Sequence, residues 1–175
     1  MDTGYVAVSP DAGVRVQVKP RDIHSYGLKL LQSNGFTIGR SIDITYAKGE
    51  TRIFALDAEQ KRFYFDPAPV GIASARLIFG IYSVDKITGV CIYEREKTSD
   101  VKTKNSLGIS SAGTIRLRSL GVQITMDDPL LPVLYIQCLP YAAVGNSEYT
   151  FRLALAQRIL TLLGSAVRTA AGKQF

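Results

Sequence analysis

The chain has little of what most enzymes work with. Of its 175 residues one is histidine and two are cysteine. Cys91 and Cys138 each sit inside an apolar stretch, which predicts two reduced, strand-buried thiols and excludes a disulfide framework. Two distant cysteines and one histidine are a poor zinc ligand set, and neither CxxC nor HExxH occurs. The phosphate-cradling patterns G-x-x-x-x-G-K-[ST] and G-x-G-x-x-G after a strand are missing, as is the nucleophile elbow G-x-S-x-G. His24 falls on a short first helix, with no acid or nucleophile at a local spacing that would orient it, and is expected at the surface or a helix end. Asp127-Asp128 precedes Pro129 and reads as turn chemistry. The sequence therefore offers no catalytic residue, no metal ligands, no cofactor and no small-molecule substrate, and the expectation is a non-enzyme.

Long apolar runs are also lacking. No stretch reaches the ~18 residues that a membrane-spanning helix needs, and "MDTGYVAVSP" has neither a basic start nor an apolar run of leader type. The expectation is a protein that is not secreted and lies in a reducing compartment. No repeat, low-complexity tract or linker divides residues 1–175, so one domain is expected, large enough to bury roughly two-thirds of its unfolded surface.

What the chain does have is positive charge. Twenty-one Lys and Arg face 15 Asp and Glu, giving +6 and a pI near 9.4, which favours anionic partners. The excess is local: from Arg95 to Arg118, six cations (Arg95, Lys97, Lys102, Lys104, Arg116, Arg118) face only Glu96 and Asp100. In "TIRLRSL" from Thr114, Ile115 and Leu117 are expected inward with Arg116 and Arg118 outward. "VRVQVKPR" from Val14 repeats the alternation with Arg15 and Lys19. The candidate anion-binding or nucleic-acid-binding residues are thus Lys97, Lys102, Lys104, Arg116 and Arg118, with Arg15 and Lys19 in a secondary place if the two strands are neighbours. The competing reading is a solvated loop and an edge strand protected by charge. Aromatics for stacking on bases are dense only at Phe63-Tyr64-Phe65, part of which alternation must bury.

Hydrophobic patterning supplies the rest. Asp22 is placed to cap a helix through Gln32, its apolar positions Ile23, Gly27, Leu30 and Leu31 following helical spacing, and Gly35 stops it. Short runs rich in aromatic and β-branched residues follow, punctuated by Lys48-Gly49, Asp57 to Gln60 and Asp85-Lys86. The fold class is α+β: a mostly antiparallel sheet or sandwich of roughly six to eight strands, a short N-terminal helix and a long C-terminal amphipathic helix over residues 147–170. Asn146 or Ser147 is expected to cap the last helix. Its apolar residues cover about 200° of its circumference, wider than one sheet contact needs. The helix is therefore expected to meet a second copy or a membrane surface through Phe151, Leu155, Ile159 and Leu162, with Arg158 and Arg168 beside them, unless it is buried deeply in its own domain.

In size, charge, β-rich order with helices near both ends and want of catalytic residues, the whole chain resembles the small basic matrix proteins of negative-strand RNA viruses, the plant rhabdovirus type in particular. No motif is shared: the PPxY budding signal is absent, and "FDPAPVG" at Phe65 reads as a loop. The resemblance implies a virion protein that condenses the nucleocapsid, forms homo-oligomers and touches the inner face of a membrane in the host cytoplasm. A viral capsid or movement protein would share these traits. The alternatives outside that class are a cellular nucleic-acid-binding β module and an enzyme whose site is assembled from dispersed residues.

Overall fold

Turn residues at short intervals cut the chain into strands too close together for helical crossovers, and antiparallel pairing is the result. A computed structural model describes residues 5–8, 15–18, 20–45, 50–67 and 77–172. The elements are β1 (Tyr5–Val8), β2 (Arg15–Val18), α1 (Ile23–Ser33), β3 (Arg40–Thr45), β4 (Thr51–Asp57), β5 (Arg62–Phe65), β6 (Leu77–Ile78), β7 (Ile81–Ser83), β8 (Ile87–Lys104), β9 (Ser110–Met126), β10 (Val133–Ala142) and α2 (Asn146–Ala170). The fold is α+β. Two antiparallel sheets hold seven strands, in the orders β3-β4-β5-β7 and β10-β9-β8, and a small mixed sheet has the order β2-β1-β6.

The first sheet is covered on both faces, which is why β4 and β5 carry the unbroken apolar runs Ile53–Leu56 and Phe63–Phe65. On one face Ile53, Ala55 and Tyr64 pack with Ile23 and Leu31 of α1. On the other, Ile42, Ile44, Phe54, Leu56, Phe63 and Phe65 share one core with Leu120, Val122, Ile124, Leu134 and Ile136 of the second sheet and with Leu155, Ala156, Ile159 and Leu163 of α2. Each fully buried aliphatic or aromatic side chain there contributes roughly 1.5–3 kcal/mol.

That arrangement accounts for the breadth of the apolar face of α2, which contacts β8, β9 and β10 and also β3. Leu155 and Ile159 are buried in this core, so the expectation that they meet a second copy or a membrane is corrected: their own sheets cover them. Leu162 is half-buried, while Phe151 (59% exposed), Arg158 and Arg168 remain at the surface. Neither helix has the predicted side-chain cap. Asp22 belongs to a 3₁₀ turn, Pro20–Asp22, with helical backbone angles in place of the extended ones usual for a capping residue, and its side chain makes no capping hydrogen bond; the N-cap position of α2 falls on Gly145. Gly35, at φ +62°, closes α1 as expected.

"VRVQVKPR" and "TIRLRSL" are not neighbours. β2 pairs with β1, whereas β9 pairs with β8 and β10. Arg15 lies in β2, and Lys19 lies outside the described residues.

Candidate anion-binding surface

The cationic stretch from Lys97 to Lys104, for which a solvated loop was the competing reading, is strand. β8 runs for 18 residues and β9 for 17, paired without interruption from Gly89–Thr125 to Lys104–Ser110. Thr98, Ser99 and Val101 suit an exposed strand, so polarity marked exposure here and not irregular backbone. β10 follows β9 no further than Arg118. Beyond it, the pairs from Thr98–Arg116 to Lys104–Ser110 form a two-stranded arm, about 23 Å long at roughly 3.3 Å per residue.

Cross-strand register sorts the side chains of this sheet onto two faces. Val90, Ile92, Leu120, Val122 and Ile124 lie on the core-facing side, and the same face continues along the arm through Glu94, Glu96, Asp100, Lys102, Lys104, Arg116 and Arg118. The opposite face carries Cys91, Tyr93, Arg95, Lys97, Ile115, Leu117 and Gln123, joined by Val133, Tyr135 and Gln137 of β10.

The expected basic patch is therefore divided. Lys97 stands on the outward face, and Lys102, Lys104, Arg116 and Arg118 stand on the other. The alternation in "TIRLRSL" is real with its direction reversed: Ile115 is exposed on the outward face, and the two arginines continue the face that becomes core at Leu120. They are also partly neutralised, because Glu96 accepts from both Arg116 and Arg118. Hydrogen bonding from Arg116, supplemented by Arg118, holds the Glu96 carboxyl below its usual pKa. Arg118 further lies 4.2 Å over the ring of Tyr149. Burial and a hydrogen bond to Glu94 raise the pKa of that tyrosine. Two arginines engaged in this way are poorly placed to take a phosphate.

The outward face has the opposite character. Among its described strand residues Arg95 and Lys97 are the only charged side chains, and there is no carboxylate. Tyr93 and Tyr135 meet edge to face at 5.5 Å. The Arg95 guanidinium lies 5.6 Å from the first ring centre and 5.7 Å from the second, within cation–π range. Tyr135 is 47% exposed. Gly121 makes room for the group: a Cβ there would overlap the Ile136 carbonyl oxygen and press on the Tyr93 hydroxyl. The arrangement offers aromatic ring and guanidinium planes beside positive charge, which suits a base and its phosphate.

Sequence reasoning missed Tyr93, Arg95 and Tyr135 as a group. Cys91, Tyr93 and Arg95 do share a strand parity, but the register that sets Tyr135 opposite Gln123 belongs to the pairing of β9 with β10. Phe63, Tyr64 and Phe65, the aromatic cluster weighed for stacking, are all buried because β5 is interior to a sheet covered on both faces. Cys138 is buried as expected, and burial pushes its thiol up to about 12. Cys91 is exposed on the outward face, which corrects the expectation of two buried thiols. Asp128 makes the predicted turn, its carboxylate accepting from the Leu130 amide at 2.9 Å.

His24 has the acidic partner that its local sequence did not provide. Asp66, distant by 42 residues, accepts from His24 Nδ1 at 2.7 Å, from the Tyr64 hydroxyl at 2.5 Å and from the Ile53 amide at 2.9 Å. Burial, reinforced by the Asp66 charge, raises the Tyr64 pKa, so the hydroxyl stays protonated and donating. A side chain at Gly27 would overlap that hydroxyl, so the glycine lets α1 close on the sheet. The cluster ties α1 to β4 and β5. Among the described residues no group of three His, Cys, Asp or Glu could hold a metal ion, and no helix is long and apolar enough to cross a membrane. Comparison with protein-family models, curated proteins and solved structures finds no match for this chain.

Proposed function

We propose that this is a non-enzymatic structural protein of viral matrix type that self-associates and binds RNA through the outward face of β10-β9-β8. The observation that carries the RNA contact is the carboxylate-free face on which Arg95 lies across Tyr93 and Tyr135, with Lys97 following it on the same strand. Single-stranded RNA is bound without a fixed motif when bases stack on such planes and cations take the phosphates. The matrix reading rests on the resemblance in size, charge and order of elements. Self-association is assigned to what α2 leaves at its surface, Phe151 with Arg158 and Arg168, in place of the broader apolar face expected from sequence.

The test is binding of a labelled oligouridine, followed by fluorescence anisotropy over a salt series. Affinity should fall with salt at a logarithmic slope of about −0.7 for each phosphate neutralised. Arg95→Glu should weaken binding by about tenfold or more. Absence of binding at low salt, or equal affinity in Arg95→Glu, would refute the assignment. Light scattering of Phe151→Ser tests self-association: unchanged mass at every concentration would remove Phe151 from the contact.

A further inference from the structure

We propose a second, separate contact: the tip of the β8–β9 arm is an anchor for a membrane surface rich in anionic lipid. At the tip Leu107 is 81% and Ile109 61% exposed, two large aliphatic side chains held out on a turn. The turn is built to keep them there. The Asn105 side chain accepts from the amides of Leu107 and Ile109, each at 3.0 Å, its carbonyl accepts from Gly108 at 3.0 Å, and Gly108 takes a φ of +77°. Lys102 and Lys104, both exposed, are the only charged residues between Asp100 and Arg116. An apolar tip with cations set just behind it matches a bilayer interface, where the aliphatic groups enter the acyl boundary and the ammonium groups meet anionic headgroups.

Charge distinguishes this occupant from a second copy of the chain. Among the described residues, three grooves beside α2 that could accept an apolar tip are rimmed by Arg40 and Lys61, by Arg40 and Arg158, and by Arg168. They would repel Lys102 and Lys104, whereas phosphatidylserine attracts them. The tip stands at the far end of the arm from Tyr93 and Arg95, so its use does not depend on the RNA contact.

The experiment is co-sedimentation of the full chain with vesicles of phosphatidylcholine alone and of phosphatidylcholine with phosphatidylserine. The parent protein should pellet with the second. Leu107→Ser with Ile109→Ser should reduce the bound fraction about tenfold, with circular dichroism and oligouridine affinity unchanged. Lys102→Glu with Lys104→Glu should remove the preference for phosphatidylserine. A direct readout is an environment-sensitive dye on Ile109→Cys in a Cys91→Ser background, whose emission should shift to the blue on vesicle addition. The proposal is overturned if the parent ignores phosphatidylserine vesicles, or if the serine variant binds them as the parent does. A serine variant altered only in oligomeric mass by light scattering would also overturn it, in favour of a second copy.

Discussion

Tyr135→Ala is the most informative single perturbation of the outward face. The ring is 47% exposed, meets Tyr93 edge to face and receives the Arg95 guanidinium. Truncation removes one stacking plane, and base–aromatic stacking is worth about 1–3 kcal/mol per base, or roughly 5- to 150-fold in affinity. The buried half of the ring amounts to about 80 Å² of apolar surface, so the folded state loses about 2 kcal/mol, a tolerable part of the 5–15 kcal/mol typical of a domain. Oligouridine anisotropy measures the first quantity and urea unfolding the second. Tyr135→Phe keeps the ring and should bind within about twofold of the parent. Arg95→Ala should cost a similar factor and lower the salt slope by about 0.7. The double variant should lose less than the product of the singles, because the ring positions the guanidinium. Arg116→Ala should change affinity by no more than about twofold, since Glu96 already engages that arginine. An unchanged affinity in Tyr135→Ala, or a larger loss from Arg116→Ala than from Arg95→Ala, would show that RNA does not bind where the aromatic group lies.

Three further outcomes test the packing behind that surface. Asp66→Asn leaves a carboxamide nitrogen among the donors His24, Tyr64 and Ile53, and should lower unfolding stability by about 2–4 kcal/mol in urea titration; a loss under about 0.5 kcal/mol would mean that these three hydrogen bonds do little to hold α1 against the sheet. Ile159→Ala should cost about 2–5 kcal/mol and leave the oligomeric mass of the folded protein unchanged; a changed mass with little loss of stability would return Ile159 to an interface. In native protein at neutral pH a maleimide should modify Cys91 alone, since Cys138 is buried with its thiol pushed up to about 12; mass spectrometry showing two adducts on folded protein would contradict its placement.

Local pattern alone determined a good deal. The spacing of Ile23, Gly27, Leu30 and Leu31 located α1, "TRIFALD" matches β4 residue for residue, and the proline-free run after Asn146 located α2. These features depend on period and turn chemistry, which each segment carries in its own residues. The α+β class followed from them. Lys97 to Lys104 was legible as exposed and cationic, but its polarity concealed a strand, because strand formation there depends on pairing with β9 and not on a buried face.

Facing and partnership were decided only by the tertiary structure. A strand's alternation states that Arg116 and Leu117 lie on opposite sides, and nothing in it tells which side meets the core; the continuation of the arginine face into Leu120 and Val122 settled that. The width of the apolar face on α2 was visible, yet whether sheets, a second copy or lipid would cover it depended on how two distant sheets converge. Charge counting saw six cations between Arg95 and Arg118; alternation along β8 sets Arg95 and Lys97 opposite Glu96, and only cross-strand register put Arg116 and Arg118 on the side of Glu96. His24 with Asp66, and Tyr93 with Tyr135, are each joined by backbone closure over about 40 residues, and contacts at that separation are set by which elements pack together, since loop closure costs little more for long spans than for short ones.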